Sequence, residues 1–214
     1  MRTIKITKAD LDENNYYKQD GIACVGPGFY RNIEIDEDLG LVKFREGVYV
    51  TGSIIAKAGS GIKADLGIKA GTGIKADLGI KAGWGIEAGT GIEAGAGIEA
   101  GLGIDAGSGI KAGAGIKAGT GIKAGWGIEA GSGITSLYSW VKAKQIISFN
   151  PNCTLSAGIF SRAGKREIEA QEIKGGEVIY GEVTLRPKEN KKSDDKTEEA
   201  ISILKEKGYR IIKE

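Results

Sequence analysis

The stretch GIKAGTGIKADLGIKAGWGIEAGTGIEAGAGIEAGLG, from Gly67 to Gly103, repeats one six-residue phrase with two positions free to change. It is part of a longer run, in which thirteen Gly-Ile pairs recur at an unbroken spacing of six from Gly61-Ile62 to Gly133-Ile134. A period of six fits no face of a 3.6-residue helix, and glycine costs a helix interior about 1 kcal/mol per site. Six does fit a strand of three or four residues plus a corner. Three such units close a triangular coil of 18 residues, and successive coils stack as parallel strands about 4.8 Å apart. The predicted fold class is all-β: a parallel β-solenoid of hexapeptide repeats, with about five coils in the repeat.

Each position in the phrase has a physical task. Isoleucine points inward onto the isoleucine one coil away, making three internal ladders. Each buried Ile is worth roughly 1.5–3 kcal/mol, which opposes the entropy lost in ordering so much glycine. Alanine fits where the corner crowds the interior. The next slot holds Gly, or Asp at Asp65 and Asp77, and the expectation is a corner with positive φ, which both residues tolerate. The variable slot mixes small and large residues, which suggests a partly inward site. Trp84 and Trp126 are bulky for a narrow triangle, and whether they face in or out stays open at this level.

The residue after each Ile points outward and carries charge. Positions 18 apart become neighbours, so one face stacks Lys75, Glu93, Lys111 and Glu129. A second stacks Lys63, Lys81, Glu99 and Lys117, and the third stacks Lys69, Glu87, Asp105 and Lys123. Opposite charges meet at most steps, which favours register more than stability because exposed pairs contribute only about 0–1 kcal/mol.

Residues 53–138 resemble the hexapeptide-repeat, left-handed parallel β-helix superfamily. That family's unit starts with an inward aliphatic residue and has a small residue two positions before it, and AGTGIK and AGSGIK match both points. The residue after the aliphatic one is often Gly in the family and is Lys, Glu or Asp here. The resemblance implies a left-handed coil. Members of that superfamily with known chemistry include acyltransferases with a histidine base and zinc carbonic anhydrases with histidine ligands. This chain has no histidine, so neither role carries over. The expectation is a non-enzyme without catalytic residues, cofactor or metal; an acyltransferase-like enzyme is the least favoured class. The GIEAGxGI phrasing also looks like that of uncharacterised proteins from gut-bacterial phages and mobile elements.

The rest of the chain divides by composition. Residues 1–52 read as a β-rich cap, 139–186 as a second β-rich segment and 187–196 as a charged linker. Residues 197–214 read as a helix and a short strand, with Asp195 or Thr197 as cap, Ala200, Ile201, Ile203 and Leu204 as one apolar face, and Gly208 as the stop. Tyr16, Tyr17, Phe29, Tyr30, Tyr138 and Trp140 are placed to seal the two ends of a stack. The N-terminus lacks a signal-peptide core, no run approaches a membrane span, and two isolated cysteines suit a reducing cytoplasm.

Charges nearly cancel, 30 basic against 28 acidic, giving no global pull toward nucleic acid or lipid. GIFSRAGKR, residues 158–166, has the wrong spacing for a phosphate loop. Candidate partner-binding residues are the aromatics Trp84, Trp126 and Trp140, the acidic belt Glu93, Glu99 and Asp105, and the basic pair Lys165 and Arg166. The leading expectation is a cytoplasmic, non-catalytic binder of a protein or ribonucleoprotein, an anti-CRISPR-like inhibitor of host defence encoded by a phage or mobile element. Direct membrane contact is not expected, nucleic acid is weakly supported, and homo-oligomerisation is left open. A fibre, adhesin or self-assembling element is the alternative.

Overall fold

A computed structural model describes residues 3–19, 22–23, 32–160 and 166–187. The expected helix and strand at 197–214, nearly all of the charged linker, and Cys24, Phe29, Tyr30 and Lys165 lie outside the described residues. Within them, twenty-six strands form three parallel sheets of nine, eight and nine strands. These are the three faces of a β-solenoid of about eight turns, with about 19 residues per turn. Face 1 begins with Thr3–Ile6, face 2 with Gly40–Phe44 and face 3 with Ile22–Ala23. A hexad coil visits them in that order, as Ile74–Ala76, Ile80–Ala82 and Ile86–Ala88 do.

The isoleucine ladders form in the expected register. Ile74, Ile92, Ile110 and Ile128 stack on face 1. Ile62, Ile80, Ile98, Ile116 and Ile134 stack on face 2, and Ile68, Ile86, Ile104 and Ile122 on face 3. All are buried, and so are the alanines two residues on. With both inward positions filled, each short strand shows only its middle residue to solvent.

The corners differ from expectation. Gly59, on the first and longer corner, has the expected positive φ of 69°, but none of the corner glycines from Gly71 to Gly131 does, and among the described residues the non-glycine cases are Asn15 and Asp38, not Asp65 or Asp77. The requirement for glycine is steric. The Gly83 amide donates to the Ala64 carbonyl at 3.0 Å, and Gly101 to Ala82 at 3.0 Å, so the ladder hydrogen bonds continue around the corner. This brings successive corners so close that a β-carbon on Gly83, Gly89 or Gly101 would stand 1.9–2.0 Å from the carbonyl oxygen of the corner below. Asp77 escapes this because it lies over the longer corner at Lys57–Ser60, where its carboxylate accepts from the Gly59 amide at 2.8 Å.

The coil also runs past the repeat at both ends. Asn32–Ile35, Gly40–Phe44 and Val48–Val50 make a full turn, and Val141–Ala143 through Glu182–Leu185 add more to the same sheets. The stack therefore exceeds the five coils read from the hexads. Alternating segments such as NIEI and VYV supply inward residues without the hexad phrase, and longer corners absorb the extra residues.

At the N-terminal end, residues 7–19 fold across the stack. Tyr16 bridges to Lys43 and the Tyr17 amide donates to the Lys43 carbonyl at 2.8 Å. Ile6, Leu11 and Tyr17 are buried there, with the Tyr17 ring 5.7 Å from that of Phe44. Tyr17 thus seals this end, while Tyr16 lies under the Arg45 guanidinium at 4.5 Å. At the other end, Arg186 donates to Glu169 and holds its carboxyl below the ordinary carboxylate value.

This packing separates two glycines of the same phrase. Gly101→Ala drives a β-carbon into the Gly83 carbonyl at 1.9 Å, whereas at Gly109 the nearest atom would be 3.6 Å away. Chemical denaturation should show Gly101→Ala destabilised by about 2 kcal/mol or more, with Gly109→Ala within about 0.5 kcal/mol of the parent.

Candidate functional site

Because isoleucine and alanine fill the interior, the variable slot is turned to solvent at the apex of each corner. The expectation of a partly inward slot is corrected: Trp84 is 54% exposed, Leu102 50% and Trp126 64%. Ser60 is the buried case, on the longer corner, where its hydroxyl accepts from the Leu39 amide at 3.0 Å and donates to the Asp36 carbonyl at 2.6 Å.

Reading the slot at a spacing of one coil sorts the side chains by corner. Along the corner between faces 2 and 3 run Leu66, Trp84, Leu102 and Thr120, linked by amide–carbonyl bonds of 3.1, 3.0 and 3.2 Å. Tyr138 and Phe160 continue this line, both exposed, with ring centroids 6.0 Å apart. The result is an apolar ridge on a rigid corner. Trp126 stands elsewhere, on the corner between faces 3 and 1, in a column with Thr72, Thr90 and Ser108.

Beside the ridge, on face 3, the glycine before each isoleucine leaves a trough of about 580 Å³. Gly67, Gly85, Gly103 and Gly121 form its floor, Trp84, Leu102 and Thr120 one wall, and Lys69, Glu87 and Asp105 the other. Tyr49 and Trp140 close the ends. Both rings lie on glycine: a β-carbon on Gly121 would be 2.8 Å from the Trp140 ring, and one on Gly67 would be 3.2 Å from the Tyr49 hydroxyl. Faces 1 and 2 carry troughs of similar size, about 610 and 630 Å³. Size does not distinguish the three, but only the face 3 trough is lined by aromatic residues.

The acidic belt is placed differently from the aromatics. Residues six apart fall on successive faces, so Glu93, Glu99 and Asp105 ring the circumference, one on each sheet. Each is paired to a lysine one coil away: Lys75 to Glu93 at 3.2 Å, Lys81 to Glu99 at 2.9 Å and Lys123 to Asp105 at 3.4 Å. Lys69–Glu87 and Lys111–Glu129 complete the pattern at 2.8 and 3.1 Å. Charges pair off two by two, leaving like-charged steps at Lys63–Lys81 and Glu87–Asp105. The pairs are half-exposed, so each contributes about 0–1 kcal/mol.

Arg166 lies beyond the trough on face 3, with its aliphatic stem against Gly158 and its carbonyl accepting from the Glu182 amide. The structure thus brings Trp84 and Trp140 into one site with Asp105 on its wall, and leaves Trp126, Glu93, Glu99 and Arg166 outside it. Sequence reasoning missed Tyr49, Leu66, Leu102 and Phe160, and it assigned Tyr138 to sealing an end of the stack, whereas that ring is 55% exposed on the corner. The signal for Leu66 and Leu102 was present, since the 18-residue spacing that sorted the charges also aligns them with Trp84.

Among the described residues, no group of three or more His, Cys, Asp or Glu side chains could hold a metal ion, and no helix is long and apolar enough to cross a membrane. No protein-family model, curated protein or solved structure matches this chain.

The placement of the tryptophans is open to direct measurement. In variants that keep one tryptophan each, acrylamide should quench Trp84 and Trp126 strongly and Trp140 several-fold less. Equal quenching of all three would contradict the packing of Trp140 on Gly121.

Proposed function

We propose that this chain is a non-catalytic binding protein that docks a protein or ribonucleoprotein partner on face 3 and the adjoining corner. One observation carries the reading: Trp84 and Leu102 stand exposed on a rigid corner, above a glycine-floored trough closed by Tyr49 and Trp140. Contiguous exposed apolar side chains rimmed by charge are characteristic of interaction sites, and buried tryptophans at such sites supply much of the binding energy. The stack presents them preorganised, so association loses little entropy to ordering the binder. The charged wall of Lys69, Glu87 and Asp105 would set orientation more than affinity.

The likeness of the GIEAGxGI phrasing to phage and mobile-element proteins supports a partner drawn from host defence, such as a CRISPR nuclease complex, met in the bacterial cytoplasm. The test pairs an infection or plasmid-interference assay with quantitative capture of the defence complex. Trp84→Ala with Leu102→Ser should weaken capture at least about tenfold, or 1.4 kcal/mol, and remove protection, while Trp126→Ala should leave both intact. Loss through Trp126→Ala alone, or binding indifferent to Trp84 and Leu102, would overturn the reading.

A second reading, self-assembly into a fibre, is favoured by one feature, the exposed apolar residues of the final turn. Light scattering over a concentration series separates the two, because a fibre requires growth beyond a small closed oligomer.

A further inference from the structure

The two ends of the solenoid are unlike. At the N-terminal end the last rungs are covered by residues 7–19, which bury Ile6, Leu11 and Tyr17. At the C-terminal end the last turn is Glu172–Lys174, Glu177–Tyr180 and Glu182–Leu185. Its inward residues continue the three ladders, Ile173 on Ile147, Val178 on Leu155 and Val183 on Ile168. No described strand pairs with their other side. Val183 is accordingly 46% exposed and Leu185 59%, and Ile179 and Tyr180 are exposed as well. Ile173 and Val178 stay partly buried against the core, so the apolar interior is barest at Val183 and Leu185 on face 3, beside a row of strand amides and carbonyls that no described strand pairs.

We propose that the chain's own segment 197–207 covers this end. The argument begins from where the chain leaves the fold: the Arg186 amide donates to the Ala170 carbonyl at 2.7 Å, which places the exit at the bare end itself. Twenty-seven residues remain beyond it, 188 to 214. The charged stretch 188–196 can extend about 30 Å, more than one side of a triangle built from six residues, at most about 20 Å. The segment after it, TEEAISILKEK, carries Ala200, Ile201, Ile203 and Leu204 at helical spacing. An amphipathic helix of this length is marginal alone and needs an apolar surface. The bare end supplies one of matching chemistry.

Residues 197–207 carry three glutamates, Glu198, Glu199 and Glu206, against Lys205 and Lys207, and the charge that matches the bare end lies at the segment's close and beyond it. Each of the three final strands opens with a glutamate, Glu172, Glu177 and Glu182. The chain from Lys205 to Lys213 carries Lys205, Lys207, Arg210 and Lys213 against Glu206 alone. The lysines that close the segment and the basic residues after it would lie against a negative rim. The same cover removes the exposed strand edge that would otherwise favour end-to-end association, which makes the tail a guard against the fibre as well as a cap.

The test uses the full-length chain. Amide hydrogen exchange across residues 173–185 should be slow and independent of protein concentration. Leu204→Asp should accelerate it at least tenfold there while leaving the Ile62–Ile134 coils unchanged. Should that variant misfold, Val183→Cys with Leu204→Cys, in a chain whose Cys24 and Cys153 are replaced by serine, should form an intramolecular disulfide that persists at high dilution. Exchange indifferent to Leu204→Asp, together with no such disulfide, would overturn the proposal. So would protection that rises with protein concentration, which would make a second copy the occupant, or protection that arises only when another macromolecule is added.

Discussion

Every corner glycine from Gly71 to Gly131 rests on a peptide carbonyl one coil away, at a distance that leaves no space for a β-carbon. This contact makes the corners tight enough for the ladder hydrogen bonds to run around them unbroken. The strands therefore stack in register, isoleucine meets isoleucine, and both inward positions of each strand are filled. The hydrophobic ladders supply the driving force, and the bare corners let them form. A β-carbon at a corner would lift one coil from the next and weaken both.

The same constraint decides what the surface can carry. With the interior and the corner glycines committed, only the residue after each isoleucine and the variable slot remain free. The first set holds charges that pair off along each face. The second set holds Leu66, Trp84 and Leu102 on one corner and Thr72, Thr90 and Ser108 on another. A regular scaffold thus concentrates chemical distinction in a few columns, and the column with exposed tryptophan and leucine is the one suited to a macromolecular partner.

Much of this architecture was legible in the hexads. The six-residue period excludes a helix, and a spacing of 18 foretells which isoleucines and which lysines and carboxylates become neighbours. The corner chemistry was not legible, because glycine answers equally to positive φ and to a close carbonyl, and only coordinates separate them at Gly83 or Asp77. The flanking coils were hidden for another reason: NIEI, VYV and IISF fill the same inward sites without repeating a phrase. Of the candidate site, the sequence pointed to Trp84, Trp140 and Asp105. Tyr49 and Phe160 reach that side through corners of irregular length, and no period reveals them.

The central claim is that coils are interchangeable units held by an 18-residue register. A stack of this kind should lose one whole turn and close again, since each turn contacts only its neighbours. Deleting Ile92–Gly109 joins Gly91 to Ile110 and keeps the rhythm, whereas deleting Ile92–Ala100 joins Gly91 to Gly101 and breaks it. Thermal unfolding followed by circular dichroism tests this most directly. The account predicts a β-rich, cooperatively melting protein for the first deletion and loss of cooperative folding for the second. Collapse of the first, or equal tolerance of both, would contradict it.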